Sequence, residues 1–294
     1  MKNLLIIDGM ALLFRHFFAT SLHKNYMRNT KGVPTNGVQG FVRHVVSAIH
    51  DTKANHVIVC WDMGSQTFRN EIDPNYKAHR PAPQDELIPQ FDMVQEISRQ
   101  LGFHNIGIQN FEADDVIGTL AHTLDNSYNI KVISGDRDLL QILDEHIEVW
   151  LIKKGFNIYN IYTQERFKEE YQIEPKQLID VKAFMGDTAD GYPGVKGIGE
   201  KTAIQLIQKY NSIQGVLNNL DNLPKGQQTK IKNNIDALKL SHQLAEIHTA
   251  VPLQIDEIII EMPYSVNIDE MINICDNFEL KVASSFIRKL KTLR

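Results

Sequence analysis

The sequence predicts an α/β domain built on a mostly parallel sheet, followed by a helical domain. Runs at 3–8, 56–62, 129–134 and 147–152 are apolar at consecutive rather than alternate positions, as in strands buried on both faces. Amphipathic stretches at 37–53, 89–101 and 113–126 lie between them, and strand–helix alternation of this kind builds a parallel sheet with helices on its faces. After Glu174-Pro175 the pattern turns helical, at 175–185, 199–209, 212–220, 227–247 and 266–293, with one further strand expected at 251–260. The division falls near residue 172, which gives an α/β domain over 1–172 and a helical domain over 173–294. Residues 63–90 fit neither pattern. They hold four of the ten prolines, two arginines and little apolar periodicity, and read as a long, partly basic connection of the kind that carries function.

Composition narrows the classes of function. The 294 residues are 43% hydrophobic, ordinary for a globular protein, and suffice for two domains. Cys60 and Cys275 are far apart inside apolar runs, which argues against a disulfide framework or a zinc site and fits a reducing compartment. No apolar run approaches the ~20 residues that span a bilayer, and Asp8 interrupts the N-terminal apolar stretch. A cytoplasmic location is expected. The net charge of −5 conceals an asymmetry: residues 191–240 carry seven lysines against Glu200, Asp221 and Asp236. An acidic centre in a mildly basic body suits metal ions beside a phosphate backbone, although solvated helix faces would look alike if charge stood alone.

Three acidic residues end strand-like runs: Asp8, Asp62 and Asp136. Ligands of parallel α/β sheets bind outside the carboxyl ends of the strands, so the three side chains are expected in one crevice. Glu112, Asp114 and Asp115 head the helical stretch at 113–126, and Asp138 follows Asp136 by two. Asp187 and Asp190 lie in the turn that opens at Gly186. Each alone is more often a turn former or helix cap. Together they favour a metal site, and all-oxygen ligation selects magnesium or manganese over zinc.

Just beyond, Gly194-Val-Lys196-Gly197-Ile198-Gly199-Glu-Lys201-Thr202 opens a helix. It is not a Walker A loop, because Glu200 separates Gly199 from Lys201 and no apolar strand precedes it. The Gly-Ile-Gly turn between helices resembles helix–hairpin–helix DNA-binding motifs (residues 186–210), whose glycines let backbone approach a phosphate and whose N–H groups receive it. Such a motif holds duplex backbone without reading sequence.

In order along the chain stand Ile-Asp8-Gly, Trp-Asp62 with Phe68-Arg69, Tyr76-Lys77-Ala-His-Arg80, Glu112-Ala-Asp114-Asp115, Gly135-Asp136-Arg-Asp138 and Gly186-Asp187 through Ala203. This series resembles the bacterial 5′→3′ exonuclease and flap-endonuclease family, the type found at the N-terminus of DNA polymerase I, over residues 3 to about 253. With no polymerase following, the chain is similar to the stand-alone members. The resemblance implies a PIN-like three-layer domain with a helix-3-turn-helix unit, and a two-metal phosphodiester hydrolase cutting 5′ flaps, 5′ ends and RNA–DNA primer junctions. It assigns Asp8, Asp62, Glu112 and Asp114 to a first magnesium or manganese cluster. Asp136, Asp138, Asp187 and Asp190 fall in a second, with Asp115 beside both. Lys77, Arg80 and Arg15 are expected on the substrate phosphate, Tyr76 stacked on a terminal base, and 63–90 as an arch or clamp. A potassium ion at the hairpin, a separate DNA polymerase as functional partner and a monomeric state are further expectations. Gly191-Tyr192-Pro193 stands where the family usually has Asn-Ile-Pro, which questions the stiffness of that turn.

Two other classes share parts of this pattern. One is a DNA-junction binder of this fold that has lost its metals, and the nine filled acidic positions speak against it. A PIN-type ribonuclease shares the strand-end carboxylates but is typically shorter and lacks the hairpin unit.

Overall fold

Six strands form one sheet in the order β3-β2-β1-β4-β5-β6: β1 (Lys2–Asp8), β2 (His56–Cys60), β3 (His104–Ile106), β4 (Tyr128–Ser134), β5 (Ile147–Ile152) and β6 (Tyr159–Tyr162). All pairings are parallel except β5 with β6. This computed structural model describes every residue except 22–25, 266, 293 and 294. The four expected strands are present. The sequence pattern missed β3, which is three half-buried residues, and β6, an antiparallel edge strand with no long apolar run. The chain runs from β1 outward to β3, then returns to β4 on the other side of β1. The switch point of the sheet therefore opens beside the carboxyl ends of β1 and β4.

One face of the sheet carries α1 (Gly9–Thr20), α2 (Asn36–Thr52) and α4 (Ile88–Gln100), packed on Leu5, Ile7, Val57 and Val59. The short α3 (Phe68–Ile72) lies in the connection between β2 and α4. The other face carries α5 (Ala113–Leu124) on Leu4, Ile6, Ile58 and Val132, and this core continues past residue 172. Beyond β6 come α6 (Gln164–Tyr171), α7 (Leu178–Met185), α8 (Glu200–Tyr210), α9 (Ile213–Asn218), α10 (Lys225–Lys232) and α11 (Ile235–Ala245). Phe184, Ala203, Ile207 and Leu238 from these helices join the same buried cluster as the sheet face.

Several expectations are corrected. The run at 251–260 is not a strand; α12 (Ile255–Glu261) occupies it, with Ile258 buried and Ile260 77% exposed. The helix expected at 227–247 is two, broken at Asn233-Asn234. The one expected at 266–293, whose end residues lie outside the described residues, is α13 (Ile268–Asn277) and α14 (Lys281–Thr292). This pair does not join the hairpin helices: Met271, Cys275, Ala283 and Ile287 pack with α2 and α4 on the far face of the sheet. No described helix is long and apolar enough to cross a membrane.

Candidate active site

A cleft of about 370 Å³ opens at the switch point and is lined by eight carboxylates: Asp8, Asp62, Glu112, Asp114, Asp136, Asp138, Asp187 and Asp190. Lys77, Arg80, Met10 and Phe14 complete much of its wall. The backbone explains the convergence. Asp8 ends β1 and also caps α1, accepting from the Ala11 N–H at 2.9 Å and the Ser134 hydroxyl at 2.7 Å. The same Ser134 hydroxyl accepts from the Asp136 N–H at 3.0 Å, which ties the ends of β1 and β4 together. Asp62, just past β2, accepts the Ala113 N–H at 2.9 Å, an orphan amide of the α5 N-terminus.

Burial raises the Asp8, Asp62 and Asp114 carboxyls above the ordinary range. Neighbouring carboxylates add to this, chiefly Asp136 for Asp114. Asp138 is raised by burial and by Asp136. Two lysines offset part of the repulsion. Lys77 Nζ lies 2.6 Å from Glu112 Oε1 and 4.0 Å from Asp190 Oδ2, and these carboxylates outweigh its burial and raise its pKa. Lys182 Nζ, on α7, lies 2.7 Å from Asp138 and 2.5 Å from Asp187. Burial alone would raise Asp187, but Lys182 and the Ala189 and Asp190 amides hold it below the usual range.

Among the described residues, no three of these side chains close on one point as a finished ligand set. The donor chemistry nonetheless fits divalent cations. The lining supplies only carboxylate oxygens, desolvated and mutually repelling, with two ammonium groups interposed between them.

Three expected site residues stand elsewhere. Asp115 is fully buried and faces away from the cleft. Arg69 forks onto it at 2.7 and 2.8 Å, and it accepts the N–H groups of Glu112 and His248. Successive helical residues point about 100° apart, so Asp114 and Asp115 cannot share a face. Tyr76 is not free to stack. It is 3% exposed, and its hydroxyl lies 3.1 Å from Glu112 and 3.3 Å from Asp190. Arg15 turns from the lining and donates to the Lys153 carbonyl at 2.6 Å. Arg80 is at the cleft, exposed, and donates to Asp190 at 2.6 Å.

Sequence reasoning assigned no role to Lys182, Phe14 or Arg69, although a lysine between Val181 and Ala183-Phe184-Met185 was a usable signal for the first. Arg69 is 2% exposed and also donates to the Leu244 and Glu246 carbonyls, so one guanidinium joins α3, α5 and the C-terminal end of α11.

The hairpin sits beside the cleft. Arg137, between Asp136 and Asp138, reaches Glu200 in the first turn of α8 at 3.1 Å and Tyr171 at 2.8 Å. Val195 and Ile198 are buried anchors, and Gly194 is buried too. Lys196, Gly197, Gly199 and Lys201 are exposed, and Thr202 is half-buried. Gly194 has φ +59, and a Cβ there would come within 2.2 Å of the Gly186 nitrogen, so this turn requires glycine. Gly199 caps α8 and has open space where a Cβ would stand. Lys230 donates to the Gly197 carbonyl at 2.9 Å. The 187–192 turn is tight: Asp187 and Tyr192 exchange backbone hydrogen bonds at 2.9 and 3.0 Å, and Gly191 has φ +85, as an Asn or Gly position requires.

The family models for the 5′-3′ exonuclease N-terminal resolvase-like domain and C-terminal SAM fold match residues 3–172 and 173–264. The chain is 55% identical to the 5′-3′ exonuclease of Bacillus subtilis (strain 168), over 86% of this chain and 85% of that one. It is 37% identical to DNA polymerase I of Bacillus caldotenax over 86% of its own length, which is 29% of the polymerase. Among solved structures, bacteriophage T5 5′-exonuclease with bound zinc aligns at a TM-score of 0.67 and 22% identity, covering 99% of both chains. The T5 flap endonuclease complex with DNA and metal ions aligns at 0.69 and 22%, covering 99% and 98%. The catalytic core of Rad2 with DNA aligns at 0.64 and 14%, covering 98% and 92%. At these identities the structures speak for the fold: a resolvase-like, PIN-like three-layer domain with a helical SAM-like unit. Two adjoining family models over most of the chain and a relative of similar length at 55% identity lead to one conclusion: the chain belongs to the 5′-3′ exonuclease family.

Proposed function

We propose that this nuclease is a structure-selective, sequence-nonspecific 5′→3′ exonuclease and 5′-flap endonuclease that depends on magnesium, with manganese as a substitute. The observation that carries the reading is the cleft itself, where eight carboxylates meet Lys77 and Arg80 at the switch point of the sheet, next to a glycine hairpin. Asp8, Asp62, Glu112 and Asp114 would hold one divalent cation, and Asp136, Asp138, Asp187 and Asp190 a second. Bound there, the cations supply an activated water and stabilise the leaving oxygen.

The chain's own groups do the rest. Lys77 and Arg80 approach the cleft from the 63–90 segment and now rest on Glu112 and Asp190. A scissile phosphate entering with its cations takes over these donors, which then offset charge developing in the transition state. The exposed hairpin amides, with Lys196 and Lys201, hold the duplex backbone and set the distance from grip to cut. A potassium ion at the hairpin would compete with Lys230 for the Gly197 carbonyl. We assign Asp115 to positioning Glu112 rather than to a metal, because its oxygens are committed to Arg69 and two amides. The role that follows is RNA-primer removal and DNA repair, by a monomer in the cytoplasm acting beside a separate DNA polymerase. Two buried free thiols fit a reducing compartment.

The test is a 5′-labelled flap incubated with magnesium and with chelator. Cleavage at a set distance from the duplex junction is expected with magnesium alone. Equal cutting in chelator, or cutting that follows base sequence rather than the junction, would overturn the reading.

A further inference from the structure

The family models end at residue 264, yet α13 and α14 lie beyond that point and return to the α2 face. One residue there adopts an unfavourable conformation. Glu279, just past the end of α13, has φ +57, the left-handed position that helix ends normally give to glycine or asparagine. Its carboxylate grips Thr30, accepting the backbone N–H at 2.7 Å and the hydroxyl at 2.5 Å. Close by, Gln39 of α2 caps the start of α14, accepting from Val282 and Ala283 at 2.9 and 3.1 Å.

Thr30 belongs to the connection that enters α2, and that connection is closed on itself. Thr35 N–H bonds the Met27 carbonyl at 2.7 Å, and the Asn29 side chain accepts from Lys31 and Val33. Both ends of the connection meet the foot of the 63–90 segment. Tyr26 OH lies 3.3 Å from the Gln84 side chain. Fully buried Gln90 caps the first amides of α2, accepting from Gly37 at 2.8 Å and Val38 at 3.2 Å. The same segment carries Lys77 and Arg80 into the cleft.

We propose that the α13–α14 pair is a brace, and that Glu279 is a positioning residue which, through the 26–35 connection, sets the foot of the 63–90 segment and so the fit of a substrate's 5′ tail. The inference rests on the nuclease reading for the identity of the substrate. The two bonds to Thr30 carry it: Lys53 and Gln172 share the left-handed backbone at other helix ends, but Glu279 adds a carboxylate that holds both the amide and the hydroxyl of Thr30.

Glu279→Gly separates the brace from the fold, because glycine relieves the left-handed strain while removing the grip. The full chain, wild type and variant, is compared in melting temperature, in chelator-buffered affinity for blunt and 5′-tailed duplexes, and in flap cleavage with magnesium. The variant is expected to melt no lower than wild type and to bind blunt duplex equally. It should bind tailed duplex about 3- to 10-fold more weakly, with KM raised by the same factor and kcat kept. Glu279→Gln, which keeps one acceptor, should fall between. Wild-type affinity for the tailed duplex, or a loss on both duplexes that follows a lower melting temperature, would overturn the brace. A wild type that binds tailed over blunt duplex but cuts neither would instead sink the nuclease reading.

Discussion

The two halves of the carboxylate cleft are built differently. The first, around Asp8, Asp62, Glu112 and Asp114, rests on the ends of β1 and β2 and the N-terminus of α5, with backbone amides on Asp8 and Asp62 and one ion pair beneath Glu112. The second takes Asp136 and Asp138 from the sheet and Asp187 and Asp190 from a turn beyond residue 172, so it forms only when the helical unit is docked. Each half holds an ammonium, but Lys77 arrives on a run of turns in the 63–90 connection and Lys182 on a helix. The proposed handover of Lys77 to a substrate phosphate suits a cation carried on a connection, whereas Lys182 is fixed on α7 as part of the scaffold. The first half is therefore a rigid platform, and the second an assembly point between domain and hairpin.

The largest effect that separates the halves is chemical. Asp62→Ala or Asp114→Ala should lower kcat on a saturating 5′-tailed duplex by on the order of 10²–10³-fold or more, with duplex affinity kept, because the hairpin is untouched. Asp115→Asn, by contrast, should weaken manganese binding far less than Asp114→Ala does, while lowering the melting temperature. Metal titration followed by single-turnover cleavage checks both. Wild-type rates for Asp114→Ala would remove the platform from the mechanism.

The next effect concerns the support beneath the platform. Arg69→Met leaves Asp115 charged and buried without its partner, and breaking such a pair costs about 3–5 kcal/mol. Arg69→Met with Asp115→Asn should recover much of that, because neither charge is then orphaned. Chemical denaturation measures both. If the double variant were no better than the single, the ion pair would not be the source of the loss.

How far this difference could be read from sequence depends on the kind of constraint. Asp8, Asp62 and Asp136 were legible because strand ends in a parallel sheet share one edge, whatever the packing around them. Asp115 was not, because the Asp114-Asp115 doublet looks alike residue by residue and only helical phase decides which faces the cleft. Tyr76 was not, because only the fold brings Glu112 and Asp190 to its hydroxyl and so buries the ring. The amphipathic α13 and α14 announced an apolar face but not its partner, and long-range packing placed them on α2 rather than on the hairpin helices. Lys182 escaped notice because a buried lysine is explained only by the two carboxylates that the fold brings to it.

The acid limb of stability offers a control outside both halves. His16 Nε2 lies 2.8 Å from His44 Nδ1, and His44 Nε2 lies 2.5 Å from the Tyr159 hydroxyl. Burial, then neighbouring cations, lowers His16 to about 4; burial, then His16 and Arg15, lowers His44 to about 3. Both are neutral at pH 7. The unfolded chain protonates these histidines from about pH 6.5 downward and the folded chain does not, so the pair's contribution to stability falls as pH drops from there toward 4. The raised carboxyls of the cleft act in the opposite direction. The slope approaches about 1.4 kcal/mol per pH unit for each histidine. His44→Gln should flatten this limb in denaturation curves taken from pH 7 to pH 4. An unchanged slope would show that the pair titrates normally.

The smallest effect tests the turn of the second half, where this chain departs from the family's usual Asn-Ile-Pro. Tyr192 is 2% exposed, and its hydroxyl has no hydrogen-bond partner among the described residues. Burial raises its pKa, and Asp138 and Asp187 add to the effect. A buried donor without a partner keeps its desolvation cost, so Tyr192→Phe should stabilise the metal-free protein by about 1 kcal/mol. The 187–192 backbone bonds do not involve the hydroxyl, so Asp187 and Asp190 should keep their places. If the hydroxyl instead supports the second half when cations are bound, the gain seen in chelator should shrink or reverse in saturating magnesium. Melting temperatures in the two buffers decide between these. A gain equal in both would make the turn's stiffness a property of its backbone alone, and the tyrosine a packing residue that happens to carry an oxygen.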